Sequence, residues 1–382
     1  MQNPFNPSFG RKPERFIGRS AMVYNVLDSI ENPNSPWRTT LFIGVRGSGK
    51  TALLSGIQKS VDSKKVICVS VSPDVDFLDN VVGTLFQNIP KGAKDVLPQI
   101  TKISTGLGLH FDFKKEKELP AFATTFKYQI VELLKIVKKK GYSVLFLLDE
   151  AQKHTEEMRT FVSTYQHLIR EEYPVSLAIA SLPNVISDIL NDDILTFLRR
   201  AKRVHLEYVD VALVELDYHE VFIDLINEKE LDIIRKVACA TYGYPYLIQL
   251  VGFFLWNELR DKGDVSIHSV YERVMIQVKA ELYVNVHDLL YRELSKRDKE
   301  FVFAMAVDED ASQVKDIALR MERGLNYISN YRARLLDTGF IKEAGHGRVD
   351  FALPYMREYL RGKQFRDTSV ELQSNSISKN SQ

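Results

Sequence analysis

At 382 residues the sequence is too long for one ordinary hydrophobic core and predicts two or three domains. Apolar residues make up 45% and charged residues 26%, globular proportions that allow a sizeable buried core. With 51 basic against 50 acidic residues, the balance excludes a generally polybasic nucleic-acid binder but not a basic face on one domain. Cys68 and Cys239 lie in apolar stretches without metal-ligand spacing and read as buried, reduced thiols, which points to a cytoplasmic location. No stretch approaches the ~20 uninterrupted apolar residues of a membrane span, and the first residues lack the apolar run of a signal peptide. No membrane partner is expected.

In chain order, residues 1–15 are rich in Asn, Pro and Arg and are expected to lie extended on the surface. Apolar residues at helical spacing from Ser20 to Ile30 predict a helix, ended by the Asn-Pro-Asn-Ser-Pro stretch at 32–36. Short apolar strands then alternate with helices. Strands are expected at Thr39–Ile43, Lys65–Val71, Tyr142–Leu148 and Val175–Ala180. Helices are expected at Lys50–Val61, Asp76–Gln87, Ala121–Lys138 and Glu156–Glu171. Near-continuous apolar strands of this kind indicate a parallel sheet covered on both faces. Residues 103–113 alternate weakly and fit either a hairpin or an ordered loop. From about Asp210 to Val286 the pattern is helical throughout, as in a small lid.

Gly44-Val45-Arg46-Gly47-Ser48-Gly49-Lys50-Thr51 matches G-x-x-x-x-G-K-[ST] in full, with an apolar strand before it and a helix after it. Its glycines let backbone N–H groups turn inward around phosphates, and the helix N-terminus adds its positive end. Lys50 is expected to reach the β- and γ-phosphates of ATP, and the Thr51 hydroxyl to ligate Mg²⁺. Farther on, Val144–Leu148 delivers Asp149 and Glu150 to the C-terminal edge of a strand, where ligands of open α/β sheets sit. Asp149 is the expected Mg²⁺ partner, and Glu150 the group that orients and polarises the attacking water.

The loop, the Leu147-Leu148-Asp149-Glu150-Ala151-Gln152 element and a Phe16-Ile17-Gly18-Arg19 box together resemble AAA+ ATPases of the origin-recognition and initiator-loader type. The resemblance spans roughly residues 14–360. It implies that Ile17 and Gly18 line an adenine pocket and that a polar sensor ends the fourth core strand. Ser181 is the first choice for that sensor and Asn184 the second. It also implies an arginine donated to a neighbouring subunit, of the same chain or of a partner ATPase. Arg200, flanked by Arg199 and Arg203, occupies the right window; a solvated basic helix end is the competing reading. The lid reads Tyr242-Gly243-Tyr244-Pro245, with no second sensor arginine, and this resembles STAND signalling ATPases, in which the proline contacts nucleotide. Slow, switch-like turnover follows from that departure.

The C-terminal pattern predicts helices at Lys299–Val307, Val314–Met321 and Asn326–Asp337, then a hairpin of Phe340–Glu343 and Val349–Leu353. This is a winged-helix pattern, whose third helix would enter the major groove of duplex DNA. Asn326, Tyr327, Asn330, Arg332 and Arg334 on that helix, with Lys342 and Arg348 on the wing, are the candidate DNA contacts. Docking of a protein or a purely structural role are the alternatives. Arg357, Arg361, Lys363 and Arg366 form a further basic stretch, and residues 367–382 read as a disordered tail.

The expected architecture is therefore α/β: a P-loop NTPase parallel sheet with helices on both faces, a helical lid and a C-terminal winged-helix domain. The expected divisions are residues 1–15, 16–208, 209–288, 289–366 and 367–382. Two functional readings follow. One is a DNA-associated ATPase using ATP and Mg²⁺; the other is a STAND-like switch that signals through a protein partner.

Overall fold

A computed structural model describes residues 2–8, 15, 17–61, 65–90, 125–151, 155–193, 195–226, 230–262 and 266–364. The expectations for residues 103–113 and 367–382, and those on Phe16, Gln152 and Arg366, lie outside the described residues.

The first half is a five-stranded parallel sheet. Its strands are β1 (Thr39–Ile43), β2 (Val66–Val71), β3 (Ser143–Asp149), β4 (Val175–Ser181) and β5 (Lys202–His205), in the order β2-β3-β4-β1-β5. Period-two alternation sends successive side chains to opposite faces. On one face Leu41, Phe146, Leu177 and Ile179 pack against helices α3 (Phe77–Asn88), α4 (Phe126–Lys139), α5 (Glu156–Arg170) and α6 (Pro183–Asn191). On the other, Phe42, Leu145, Leu147 and Ala178 pack against α1 (Ser20–Glu31) and α2 (Lys50–Val61). Both faces are thus covered, which is why the strands read as continuous apolar runs. Local chemistry starts the helices: the Thr125 and Thr155 hydroxyls accept from the amides of Tyr128 and Met158 at the N-termini of α4 and α5.

The register aligns the functional edge. Ile43 at the end of β1 pairs with Ser181 at the end of β4, and Asp149 at the end of β3 pairs with Ala180. The β1–α2 loop and the β3 carboxylates therefore leave the sheet side by side, although β4 separates their strands. β5 is not among the expected strands. Only Val204 of its four residues is buried, so this edge strand carries no alternating signal.

Helices α7 (Val211–Phe222), α8 (Ile233–Ala240), α9 (Pro245–Lys262) and α10 (Ile267–Leu282) follow. A π-turn at Tyr283–His287 leads into α11 (Asp288–Glu293). Beyond it come α12 (Lys296–Ala306), β6 (Ser312–Gln313), α13 (Val314–Arg320), α14 (Leu325–Asp337), β7 (Ile341–Glu343) and β8 (Arg348–Phe351). The last three strands form an antiparallel sheet in the order β6-β8-β7, so the expected hairpin gains a third, two-residue strand. A capping box starts α12: the Ser295 hydroxyl accepts from the Asp298 amide, while the Asp298 carboxylate accepts from the Ser295 amide. One continuous apolar cluster runs from Phe5 through α7–α10 to Leu360, so the helical segment and the C-terminal module share a core. No helix among the described residues is long and apolar enough to cross a membrane.

Three expectations are corrected. Residues 2–8 are not simply a surface extension, because Phe5 is only 2% exposed. Cys239 lies on the outer face of α8 and is exposed, while Cys68 is half-buried. The basic stretch near the end of the chain, which a solvated helix face would explain, is not simply solvated among the described residues. Arg357 donates to the carbonyls of Met305 and Asp308, and Arg361 to those of Ala306, Val307 and Asp308, so both cap the C-terminal end of α12. Lys363 pairs with Asp288 at 2.7 Å.

The junction ahead of α9 is the tightest of these turns. Gly243 has φ +69°, and a Cβ there would lie 1.9 Å from the Val209 carbonyl oxygen. Its own carbonyl accepts from the Val209 amide at 2.8 Å. Gly243→Ala is expected to destabilise the fold by about 3 kcal/mol, through left-handed strain plus a backbone clash. Denaturant unfolding of the purified variant checks this.

Candidate functional site

A cavity of about 560 Å³ opens at the sheet edge just described. Its floor is the β1–α2 loop, from Arg46 to Thr51, with Glu150, Ala151 and Ser181 beside it. Ile17, Val209, Pro245, Ile248 and Gln249 line the rest, together with Asn6, Pro7 and Ser8 near the start of the chain and Asn285 and Leu289 from the π-turn and α11.

Backbone geometry shapes the floor. The Lys50 ammonium donates to the carbonyls of Gly44 at 2.9 Å and Val45 at 3.0 Å, closing the loop on itself. The buried Ser48 hydroxyl has no hydrogen-bond partner among the described residues. Gly47, at φ +75°, stands where a Cβ would fall 2.0 Å from the Tyr244 hydroxyl, so only glycine lets the lid approach this closely. That hydroxyl donates to the Arg46 carbonyl at 2.7 Å, and Pro245 packs over Gly49. The lid is thereby tied to the loop through Tyr244, which sequence reasoning did not single out.

Burial lowers the Lys50 pKa to about 8, against the opposing pull of Asp149 and Glu150. Asp149 shifts the other way: burial raises its carboxyl, while a hydrogen bond to Thr51 and the Lys50 charge hold it down. Thr51 and Asp149 together present a hydroxyl and a carboxylate, the hard oxygen donors that suit Mg²⁺. Among the described residues no group of three or more His, Cys, Asp or Glu side chains is placed to hold a metal. Glu150 is exposed, and its amide donates to Asp149 Oδ1 at 3.1 Å. Its φ of 54° is a left-handed conformation, which costs a residue other than glycine about 1 kcal/mol and turns it out of the strand.

The other expected site residues fall less uniformly. Ile17 lines the cavity, whereas Gly18 turns behind it against Val209 and Leu213. Arg19 is 7% exposed, and its guanidinium donates to the Glu207 carbonyl. Ser181 lines the cavity, but its hydroxyl donates to the Ala151 carbonyl at 3.0 Å and so braces the residue after Glu150. Asn184 lies in the first turn of α6, outside the lining, with its buried Oδ1 unpartnered among the described residues. Arg200 is exposed and away from the cavity. Arg199 bonds the Leu190 carbonyl and Arg203 the Arg199 carbonyl, leaving Arg200 as the one of the three with no partner among the described residues.

On the C-terminal module, Asn326, Tyr327, Asn330 and Lys342 are exposed. Arg332 pairs with Glu343 at 2.7 Å on the surface, and Arg348 donates to the Ala311 carbonyl at 2.9 Å. The Arg334 side chain is half exposed, and its Nε donates at 3.1 Å to Asp298, which is 4% exposed. A carboxylate buried that far needs its counter-ion, so Arg334 also carries a structural role. This module also reaches the loop, since the Gly339 backbone packs against Val45 and Pro183, and α14 contacts α6. Asn285 and Leu289 were missed because nothing in their local pattern marks them; folding alone brings the π-turn and α11 to the cavity.

Lys50 supplies a pH signature. Its pKa is about 8 in the folded chain against 10.5 for a free lysine, so between those values the unfolded state holds more protons. Stability from this group therefore rises with pH across that window. Wild type is expected to gain stability relative to Lys50→Met between about pH 8 and pH 10, measured as the difference between parallel urea titrations.

A family model described as a domain of unknown function (DUF8462) matches residues 284–360. No curated protein matches the sequence. Among solved structures, a Walker-type ATPase of Pyrococcus abyssi is similar at TM-score 0.62 and 15% identity, covering 92% of this chain and 97% of that one. The ORC2 protein of Aeropyrum pernix, in ADPNP-ADP complexes, is similar at TM-score 0.59 and 11% identity, covering 95% and 98%. Its ADP form gives TM-score 0.52 at 12% identity, covering 94% and 97%. With the five-stranded parallel sheet, the complete phosphate loop and the carboxylate strand in register, the chain has the fold of the AAA+ P-loop ATPases of the origin-recognition and initiator-loader type.

Proposed function

We propose that this chain binds Mg-ATP at the β1–α2 loop, hydrolyses it slowly, and passes its nucleotide state to a C-terminal winged helix that contacts duplex DNA. The observation that carries the ATPase reading is the meeting of Lys50, Thr51, Asp149 and Glu150 at one sheet edge, with Asp149 bonded to Thr51. The nucleotide-bound state of the similar ORC2 structure supports the same reading.

In this reading the loop amides and the α2 N-terminus hold the phosphates, and Lys50 offsets the charge that develops on the γ-phosphoryl. Thr51 and Asp149 would hold Mg²⁺, which would supply neutralisation of the phosphate charge. Glu150 orients the attacking water and draws its proton. Ile17 packs on the adenine, and Pro245 closes over the phosphates. Ser181 acts by fixing the loop that carries Glu150. Arg200, exposed and without a partner among the described residues, acts on the site of a neighbouring subunit in a homo-oligomer or with a partner ATPase. The division into a core at 16–208, a lid at 209–288 and a winged helix at 289–366 belongs to the same proposal.

The DNA reading rests on Asn326, Tyr327, Asn330 and Lys342, which are exposed, and on Arg332 and Arg348, which would exchange weak surface contacts for phosphates. Val45 against Gly339 supplies a direct route from the phosphate loop to that module. A second reading, a STAND-like switch with a protein partner, is favoured by a different observation. Leu319 in the last turn of α13 and Leu325 at the start of α14 are 75% and 55% exposed, and apolar groups there suit a protein surface better than phosphates.

Two measurements test these readings. Glu150→Gln is expected to lower ATP turnover at least ~100-fold while leaving ATP binding in place, with Lys50→Ala as the inactive blank. Duplex DNA is expected to stimulate turnover and to bind less tightly as salt rises, and Lys342→Ala should reduce the slope of log affinity against log salt by about one. Turnover indifferent to DNA, with no salt-sensitive binding, transfers the function to the protein-partner reading.

A further inference from the structure

The first described residues repeat a short pattern, Asn3-Pro4-Phe5 and Asn6-Pro7-Ser8. Each repeat closes the same turn. Asn3 Oδ1 accepts from the Phe5 amide and Asn6 Oδ1 from the Ser8 amide, both at 3.0 Å. Proline at the second position of each turn pre-sets the backbone, so little conformational freedom is lost in forming it.

The segment is fastened to α9 along one stripe. Asn3 Nδ2 donates to the Phe253 carbonyl at 3.1 Å and to Asn257 Oδ1 at 2.9 Å. Phe5 is 2% exposed, edge-on to Tyr218 at 5.6 Å and stacked with Phe222 at 5.8 Å. Its ring occupies the space over Gly252, within 2.5 Å of where a Cβ would stand. The Asn6 amide then donates to Gln249 Oε1 at 2.9 Å. As the segment advances from residue 3 to residue 6, its contacts retreat along α9 from Asn257 to Gln249. It therefore runs antiparallel to the helix and arrives at the helix N-terminus, beside Pro245 and Ile248.

There Asn6, Pro7 and Ser8 form part of the cavity wall. The turn consumes the Asn6 carbonyl oxygen, while its Nδ2 has no partner among the described residues. A proline ring beside a free amide donor suits a nucleoside: an apolar face for a ring and a donor for an acceptor on sugar or base. We infer that residues 3–8 are a nucleoside-positioning strap, with Phe5 as its anchor and Asn6 and Pro7 as its ligand-facing residues. This rests on the ATP-site reading above but adds a specific element to it. Because the anchor lies in the shared core of the helical segment and C-terminal module, the strap joins nucleoside contact to the packing of that core.

The test uses the full chain carrying Glu150→Gln, so that bound ATP survives, and titrates ATP and inorganic tripolyphosphate in parallel with magnesium present. Asn6→Ala/Pro7→Gly loosens the wall but keeps the anchor. It is expected to weaken ATP binding about tenfold and to leave tripolyphosphate binding unchanged, because the strap faces the nucleoside. Phe5→Ala should weaken ATP selectively in the same way, with a lower melting temperature of the ligand-free protein from the cavity it leaves. ATP affinity within about twofold of the parent in the double variant, or an equal loss for tripolyphosphate, overturns the strap and leaves the ATP site standing. A parent protein that binds neither ligand removes the ATP-site reading, and the strap with it.

Discussion

A buried ammonium organises this molecule. Lys50 sits at the first position of α2, largely out of water, with two loop carbonyls as its hydrogen-bond partners. A charge in that position costs desolvation energy that only partners of opposite polarity can offset. The loop carbonyls supply part of that, Asp149 and Glu150 supply more through space, and an anionic phosphate would complete it. The rest of the site follows from this need. The sheet register sets the carboxylates across β4 from the loop strand, near enough to act on the ammonium through space.

The second constraint is that the phosphate loop is touched from three directions. The sheet delivers it, Tyr244 of the lid bonds its Arg46 carbonyl, and Gly339 of the C-terminal module packs on Val45. The phosphate loop, the helical segment and the C-terminal module are therefore in direct contact. The helical segment and the C-terminal module share one apolar core. Phe5 extends the same core to the start of the chain, which places residues 6–8 over the cavity.

Much of the fold was legible because it depends on local rules. The spans of β1 and α2 coincide with those read from sequence, since an apolar run entering a glycine-rich turn and leaving as a helix has few alternatives. β5 and β6 escaped because four and two residues cannot display a period. Cys239 misled because its apolar neighbours alternate around α8 and leave it on the outer side. Arg334 misled in a different way. A cationic residue on the third helix of a winged-helix pattern looks available for DNA, yet the same side chain is needed by a carboxylate on α12, which only packing brings near.

The sequence by itself determined the phosphate loop, the carboxylate strand and the covered parallel sheet. Each is encoded in contiguous residues whose backbone geometry and apolar period have one economical solution. Tertiary structure alone decided what closes the cavity and which cations remain free. Asn6–Ser8, Pro245, Asn285 and Leu289 meet there from distant parts of the chain, held by anchors such as Phe5 that lie outside the cavity itself. Their meeting depends on the summed packing of half-apolar helix faces, a long-range quantity with no signature in any short window of residues.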